Sequence, residues 1–171
     1  MNLPNKLTIL RVLLVPVFML VLLMGWSKYI ALGIFIIASL TDLLDGHIAR
    51  KHNLITDFGK FMDPLADKLL VISAMLIFVQ WGQLPSWLVM TVLAREFAVS
   101  GLRMIAASKG TVMAAGMSGK IKTAATMICI VIMLTPLADI AMVNAICGLI
   151  ILVTTVYSGV EYFVQNGKVL K

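Results

Sequence analysis

Apolar residues follow one another through this chain in runs that polar segments interrupt only briefly. The runs cover Leu7–Trp26, Tyr29 to the polar stretch at Asp42–Asp45, Pro64–Trp81, Pro85–Ala107, Ile121–Pro136 and Ile140–Phe163. A helix needs about 20 mostly apolar residues to cross the hydrocarbon of a bilayer, and these runs are close to that length. They are continuously apolar, whereas a membrane barrel would show alternating segments of about ten residues, so helices are expected throughout. Of the 171 residues, 61% are apolar and only 13% charged. A soluble domain carries about 25% charged residues and buries only about 70% of its unfolded surface at this size. The expected class is therefore all-α: a polytopic integral membrane protein with six transmembrane helices. Six spans use about 120 residues, so residues 1–171 are expected to form a single domain.

The basic residues orient the spans. With the N-terminus inside, Lys6, Arg11, Arg50, Lys51, Lys60, Lys68, Arg103, Lys109, Lys120, Lys122, Lys168 and Lys171 fall at or near cytoplasmic ends. Lys28 lies in an outer loop and Arg95 within a span. That bias predicts both termini on the cytoplasmic side, with Trp26, Trp81 and Trp87 near the outer interface. The net charge of +6 is read the same way, and no nucleic-acid partner is expected. A second long apolar run follows the first without a small-residue cleavage site, so no cleaved signal peptide is expected. Cys129 and Cys147 lie in apolar runs and read as small packing residues.

Acidic residues are scarce, and their placement is informative. Of eight, four are Asp42, Asp45, Asp63 and Asp67, at the cytoplasmic ends of the second and third spans; Asp57 sits in the linker between. A carboxylate there is costly unless paired or metal-bound. At 100° per residue Asp42 and Asp45 share a helix face with Gly46 and Ala49, while Gly59, Asp63 and Asp67 form a second stripe. Facing carboxylates repel one another unless cations neutralise them. Hard oxygen donors without His or Cys suit Mg²⁺, Mn²⁺ or Ca²⁺, and a pair of such ions can clamp a phosphate. His47 and His52 fall off both stripes and read as surface or packing residues. Ion pairs with Arg50, Lys51, Lys60 and Lys68 are the plainer alternative for the four acids.

The segment Asp42-Leu-Leu-Asp45-Gly46-His-Ile-Ala49-Arg50, followed after eight residues by Gly59-Lys-Phe-Met-Asp63-Pro-Leu-Ala-Asp67, resembles the signature of the CDP-alcohol phosphotransferases. That signature reads DxxDGxxAR, eight residues, GxxxDxxxD, and every fixed position is present. The resemblance implies a reaction in which an alcohol attacks the β-phosphorus of a CDP-linked lipid and releases CMP. It also implies that Asp42, Asp45, Asp63 and Asp67 hold two ions, Mg²⁺ or Mn²⁺. Asp67 would in addition be the catalytic base, and Gly46, Ala49, Arg50 and Gly59 would line the pocket for CDP-diacylglycerol. A homodimer in a bacterial cell membrane, with its active site on the cytoplasmic face, is implied as well.

The acceptor is read from basic residues elsewhere. A charged residue inside a span marks a functional site by default. Arg95 and Glu96 are adjacent, and adjacent residues point apart on a helix, so each is expected to meet another helix. Arg103 suits phosphate, because a guanidinium pairs with it bidentately. Lys120 and Lys122 open the fifth span beside Ser118 and Thr123, where an anion is favoured. With Lys109, these residues are expected to bind a phosphorylated acceptor, which favours glycerol 3-phosphate over serine or choline. The segments around Pro4–Arg11, Ala94–Arg103 and Gly119–Thr123 resemble family members that use glycerol 3-phosphate, with Thr126 departing from an expected Gln. Two alternatives remain at this point: the same chemistry on inositol phosphate or serine, and a small cation transporter whose carboxylates line a pathway. An intramembrane prenyltransferase is more distant, since its acids are spaced differently.

Overall fold

The structure, a computed structural model, describes the backbone of residues 3–51, 57–110 and 116–167; the side chains of residues 3–6, 42–51, 57–61, 63 and 64 lie outside the described set. Among the described residues there are six α-helices: α1 (Leu3–Leu23), α2 (Lys28–Lys51), α3 (Asp57–Gln80), α4 (Ser86–Ser108), α5 (Met117–Met133) and α6 (Ala141–Asn166). A short 3-10 turn at Pro136–Asp139 joins α5 to α6. The described residues are all-α, as expected.

Each apolar run became a helix, but the ends moved. α2 continues through the polar stretch to Lys51, so Asp42 to Arg50 ride on helix. α3 starts at Asp57, ahead of Pro64, which makes Asp57 helical instead of part of a linker. α5 begins at Met117 and stops at Met133, short of the expected Pro136. The cause is local: proline lacks the N–H a continuing helix would use and crowds the preceding turn. Thr135 leaves helical geometry at φ −95 and ψ 169, and its Oγ1 accepts from the Leu137 N–H at 3.3 Å.

One end of the bundle is tied by Lys28, whose Nζ lies 3.1 Å from Asp139 Oδ1 and 5.7 Å from the centre of the Trp81 ring. The α1–α2, α3–α4 and α5–α6 connections therefore share that end. It follows that the motif-bearing end of α2 and start of α3 share the opposite end with the end of α4 and start of α5. α1 packs against α2 and α3, while α6 packs against α4 and α5. Phe18, Phe35, Met75, Phe78, Ile130 and Ile151 are at the centre of the core.

Polarity is inverted relative to a soluble domain. Large apolar side chains such as Leu13, Leu20, Met90, Phe97, Leu149 and Val153 are exposed, whereas Thr8, Arg11, Lys122, Thr126, Asn144, Thr155 and Ser158 are buried. Water-soluble proteins rarely expose large contiguous apolar patches. By length and composition α6 is long and apolar enough to cross a membrane, and Leu7–Leu23 and Lys28–Thr41 are shorter apolar stretches. Cys129 and Cys147 are buried and unbridged, in keeping with packing roles. The charge pattern puts Arg11 among basic residues at a cytoplasmic end, yet the structure buries it completely, at 0% exposure.

Candidate functional site

α2 and α3 run in opposite directions and pack together, so the backbone positions that carry the two stripes lie toward the same end of the bundle. At 1.5 Å per residue, Asp45 lies about 9 Å before the end of α2 and Asp63 about 9 Å after the start of α3. Asp42 and Asp67 lie deeper, about 13 Å and about 15 Å from those ends. The side chains of Asp42, Asp45, Ala49, Arg50 and Asp63 are outside the described residues, as are the surroundings of Gly46 and Gly59. Asp67 is described, and it is half-buried.

Asp67 lines a cavity of about 1020 Å³ between α2, α3, α4 and α5. Arg95, Ser100 and Arg103 of α4 and Gly119, Lys120 and Thr123 of α5 contribute its polar wall. Ile36 and Leu40 of α2 and Ile128 and Ile132 of α5 contribute its apolar wall. Ile36, Leu40 and Ile128 are also exposed at the outer surface. The cavity thus has a charged wall near Asp67 and an apolar one that reaches the outside of the bundle.

Of the basic residues predicted to bind an anion, Arg103 and Lys120 face this cavity. Arg103 is steadied by α6, its Nε donating to the Tyr162 hydroxyl at 3.1 Å. Lys122 faces a separate small cavity of about 30 Å³, shared with Asp67, Glu96 and Thr126. Lys109 caps the end of α4, is exposed, and does not line either cavity. Thr126 turns back to its own helix, donating to the Lys122 carbonyl at 2.9 Å.

Sequence reasoning missed the role of Glu96 as a hub. Its carboxylate accepts from Lys122 Nζ at 2.8 Å and from Arg95 at 3.0 Å, and lies 3.6 Å from Lys68 Nζ. Lys68 also donates to Ser100 Oγ at 2.6 Å. One carboxylate therefore joins cations from α3, α4 and α5. Glu96 does meet other helices, but the expectation that adjacent Arg95 and Glu96 diverge is corrected: both side chains are long enough to meet beyond their diverging Cβ atoms. Arg95 threads between two glycines. A Cβ on Gly119 would stand 3.6 Å from its Nη2, and one on Gly159 would stand 3.2 Å from its Cγ. The available signal was the presence of ionisable residues within an apolar run, which marks interior partners.

Comparison with known proteins identifies the family. Residues 1–157 match the model of the family described as CDP-alcohol phosphatidyltransferase. The chain is 45% identical to the CDP-diacylglycerol--glycerol-3-phosphate 3-phosphatidyltransferase of Bacillus subtilis, over 99% of this chain and 97% of the relative. Enzymes of the same name in Pseudomonas fluorescens and Rickettsia typhi are also similar. The first is 41% identical over 78% of this chain and 72% of the relative, the second 47% identical over 60% and 58%. A family match across residues 1–157, together with 45% identity to a relative over nearly the full length of both chains, places the chain in the CDP-alcohol phosphatidyltransferase family.

Proposed function

We propose that the chain transfers the phosphatidyl group of CDP-diacylglycerol to sn-glycerol 3-phosphate, giving phosphatidylglycerophosphate and CMP. The observation that carries this reading is the shape of the large cavity: Asp67 and Glu96 with the cations Lys68, Arg95, Arg103 and Lys120 on its polar wall, and an apolar wall running to the exterior. A diacyl donor suits such a space, because its chains remain in lipid beside Ile36, Leu40 and Ile128 while its diphosphate reaches the carboxylate level. The inverted polarity of the bundle supports six spans. The excess of basic residues at the motif-bearing end supports a cytoplasmic active site with both termini on that side.

The donor set at that level, Asp42, Asp45, Asp63 and Asp67 on two packed helices, consists of hard oxygen ligands alone, which fits Mg²⁺ or Mn²⁺. A pair of such ions, when bound, offsets diphosphate charge and stabilises the in-line transition state. Gly46, Ala49 and Gly59, small residues on the same stripes, leave room for the nucleotide, and Arg50 adds positive charge beside it. Asp67 accepts the proton of the acceptor hydroxyl as that oxygen bonds to the β-phosphorus, and the bond to the CMP oxygen breaks. Arg95, Arg103 and Lys120 bind the acceptor's phosphate, with Lys109 drawing the anion toward the site. Lys122, held by Glu96, contributes positive potential from behind. Two copies are expected to associate, and exposed Ala98 with open space at Gly101 allows close helix packing.

The test is CMP release by detergent-purified protein from CDP-diacylglycerol, with glycerol 3-phosphate, inositol phosphate, serine or no acceptor, each with Mg²⁺ or EDTA. Release only with glycerol 3-phosphate, lost in EDTA, is the expected result. Release with another acceptor would overturn the reading of the basic wall. Arg103→Ala and Lys120→Ala are expected to raise the KM for glycerol 3-phosphate by about tenfold each, the value of a charge-assisted contact of about 1.5 kcal/mol. The KM for CDP-diacylglycerol should change less than threefold; equal rises for both substrates would place these residues elsewhere.

A further inference from the structure

Among the cations that line the large cavity, Lys68 and Arg95 are engaged by the Glu96 carboxylate. Arg103 has no carboxylate partner among the described residues; what holds it is a phenol. Its Nε donates to the Tyr162 hydroxyl at 3.1 Å, and its guanidinium carbon stands 5.4 Å from the centre of that ring. Tyr162 does not line the cavity. It is buried, at 5% exposure, in a small cluster with Val99 and Leu102 of α4. Val99 lies one turn before Arg103 on the same face of α4, so the contacts that fix the ring belong to the helix that carries the arginine. Arg103 itself is exposed at the cavity.

We infer that Tyr162 is a positioning residue for anion recognition: it fixes the guanidinium of Arg103 so that the Nη1–Nη2 edge is presented to a phosphate monoester in the cavity. A guanidinium has five N–H donors. With the one on Nε taken by the phenol, the four on Nη1 and Nη2 remain, and that terminal edge can pair with two phosphate oxygens at once. An unrestrained arginine loses rotamer freedom when it closes on a ligand. Tyr162 removes part of that freedom before the ligand arrives. This rests on the reading of Arg103 as part of the acceptor site. Because Tyr162 works through Arg103, its contribution vanishes when Arg103 is removed.

The experiment is a double-mutant cycle of Tyr162→Phe and Arg103→Ala, read as kcat and as the KM for each substrate. Phenylalanine keeps the ring against Val99 and Leu102, so the protein should stay folded. Tyr162→Phe should raise the KM for glycerol 3-phosphate about fivefold, the value of one net hydrogen bond. Its kcat and its KM for CDP-diacylglycerol should stay within about twofold of wild type. In the Arg103→Ala background the same change should have an effect of less than about 1.5-fold. An unchanged KM, an equal rise for both substrates, or a full effect without Arg103 would overturn the proposal. Arg103→Lys keeps the charge but loses the Nε–H and the planar fork. It should raise the KM for glycerol 3-phosphate at least as much as Tyr162→Phe; a value within about twofold of wild type would overturn the proposal, whether or not Tyr162→Phe folds. Inorganic phosphate separates this role from the proposed reaction. It should raise the unfolding midpoint of wild type most, of Tyr162→Phe about half as much, and of Arg103→Ala least. That order without CMP release on glycerol 3-phosphate would remove the reaction and keep the positioning role. An equal response in all three proteins, including none, would overturn it.

Discussion

Asp67→Asn is expected to lower phosphatidyl transfer by about 10³-fold or more, in a protein that remains folded. A positioned base contributes about 10²–10⁴-fold, and the amide also replaces a charged oxygen donor with a weaker neutral one. The substitution keeps size and shape, and Asp67 is half-buried at a cavity wall, so little packing is lost. The midpoint in EDTA should stay close to wild type, while the Mg²⁺-induced rise shrinks because one proposed ligand is weakened. CMP release under single-turnover conditions is the measurement. Turnover within tenfold of wild type would show that another group takes the acceptor's proton.

Glu96→Gln should be the most damaging single change outside the carboxylate motif. Its carboxylate is 15% exposed and holds Lys122, whose side chain is 6% exposed, together with Arg95 and Lys68. Breaking a buried pair by removing one partner costs about 3–5 kcal/mol, because the remaining charge is left uncompensated. Here three cations lose the same anion. Lys122→Met should be milder, since Glu96 keeps two partners and the methionine fills a similar volume. The expected order of unfolding midpoints is wild type, then Lys122→Met, then Glu96→Gln; the reverse order of the two variants would show that Lys122 is the indispensable member. Glu96→Gln should also loosen Arg95 and raise the KM for glycerol 3-phosphate in whatever fraction stays folded.

The helical register of the acidic residues was legible in the chain because a helix converts spacing into direction. Asp42 and Asp45, or Gly59, Asp63 and Asp67, share faces at intervals of three and four whatever surrounds them, so the carboxylate stripes and their family resemblance could be read locally. The same holds for the helical class, which follows from continuous apolar runs. Helix ends were less legible. Pro136 sits inside an apolar run but stops α5 at Met133, and the motif segments extend α2 and α3 well beyond their apolar portions. Apolarity reports where lipid or core is met, whereas backbone hydrogen bonding decides where a helix ends.

Partner choice was illegible for a different reason. Lys120 and Lys122 lie two apart, so their side chains diverge on a helix, but spacing alone does not say which one faces the cavity. The structure directs Lys120 to the cavity and Lys122 to Glu96. Arg11 reads as one more basic residue near a helix end until α1 is packed against α2 and α3 and encloses it. The sequence by itself determined the helices and the spacing of the acidic residues along them, because both depend on residues within a few positions of one another. Only the tertiary structure decided which charges meet, because those contacts join residues on different helices and depend on how the helices are ordered, oriented and aligned.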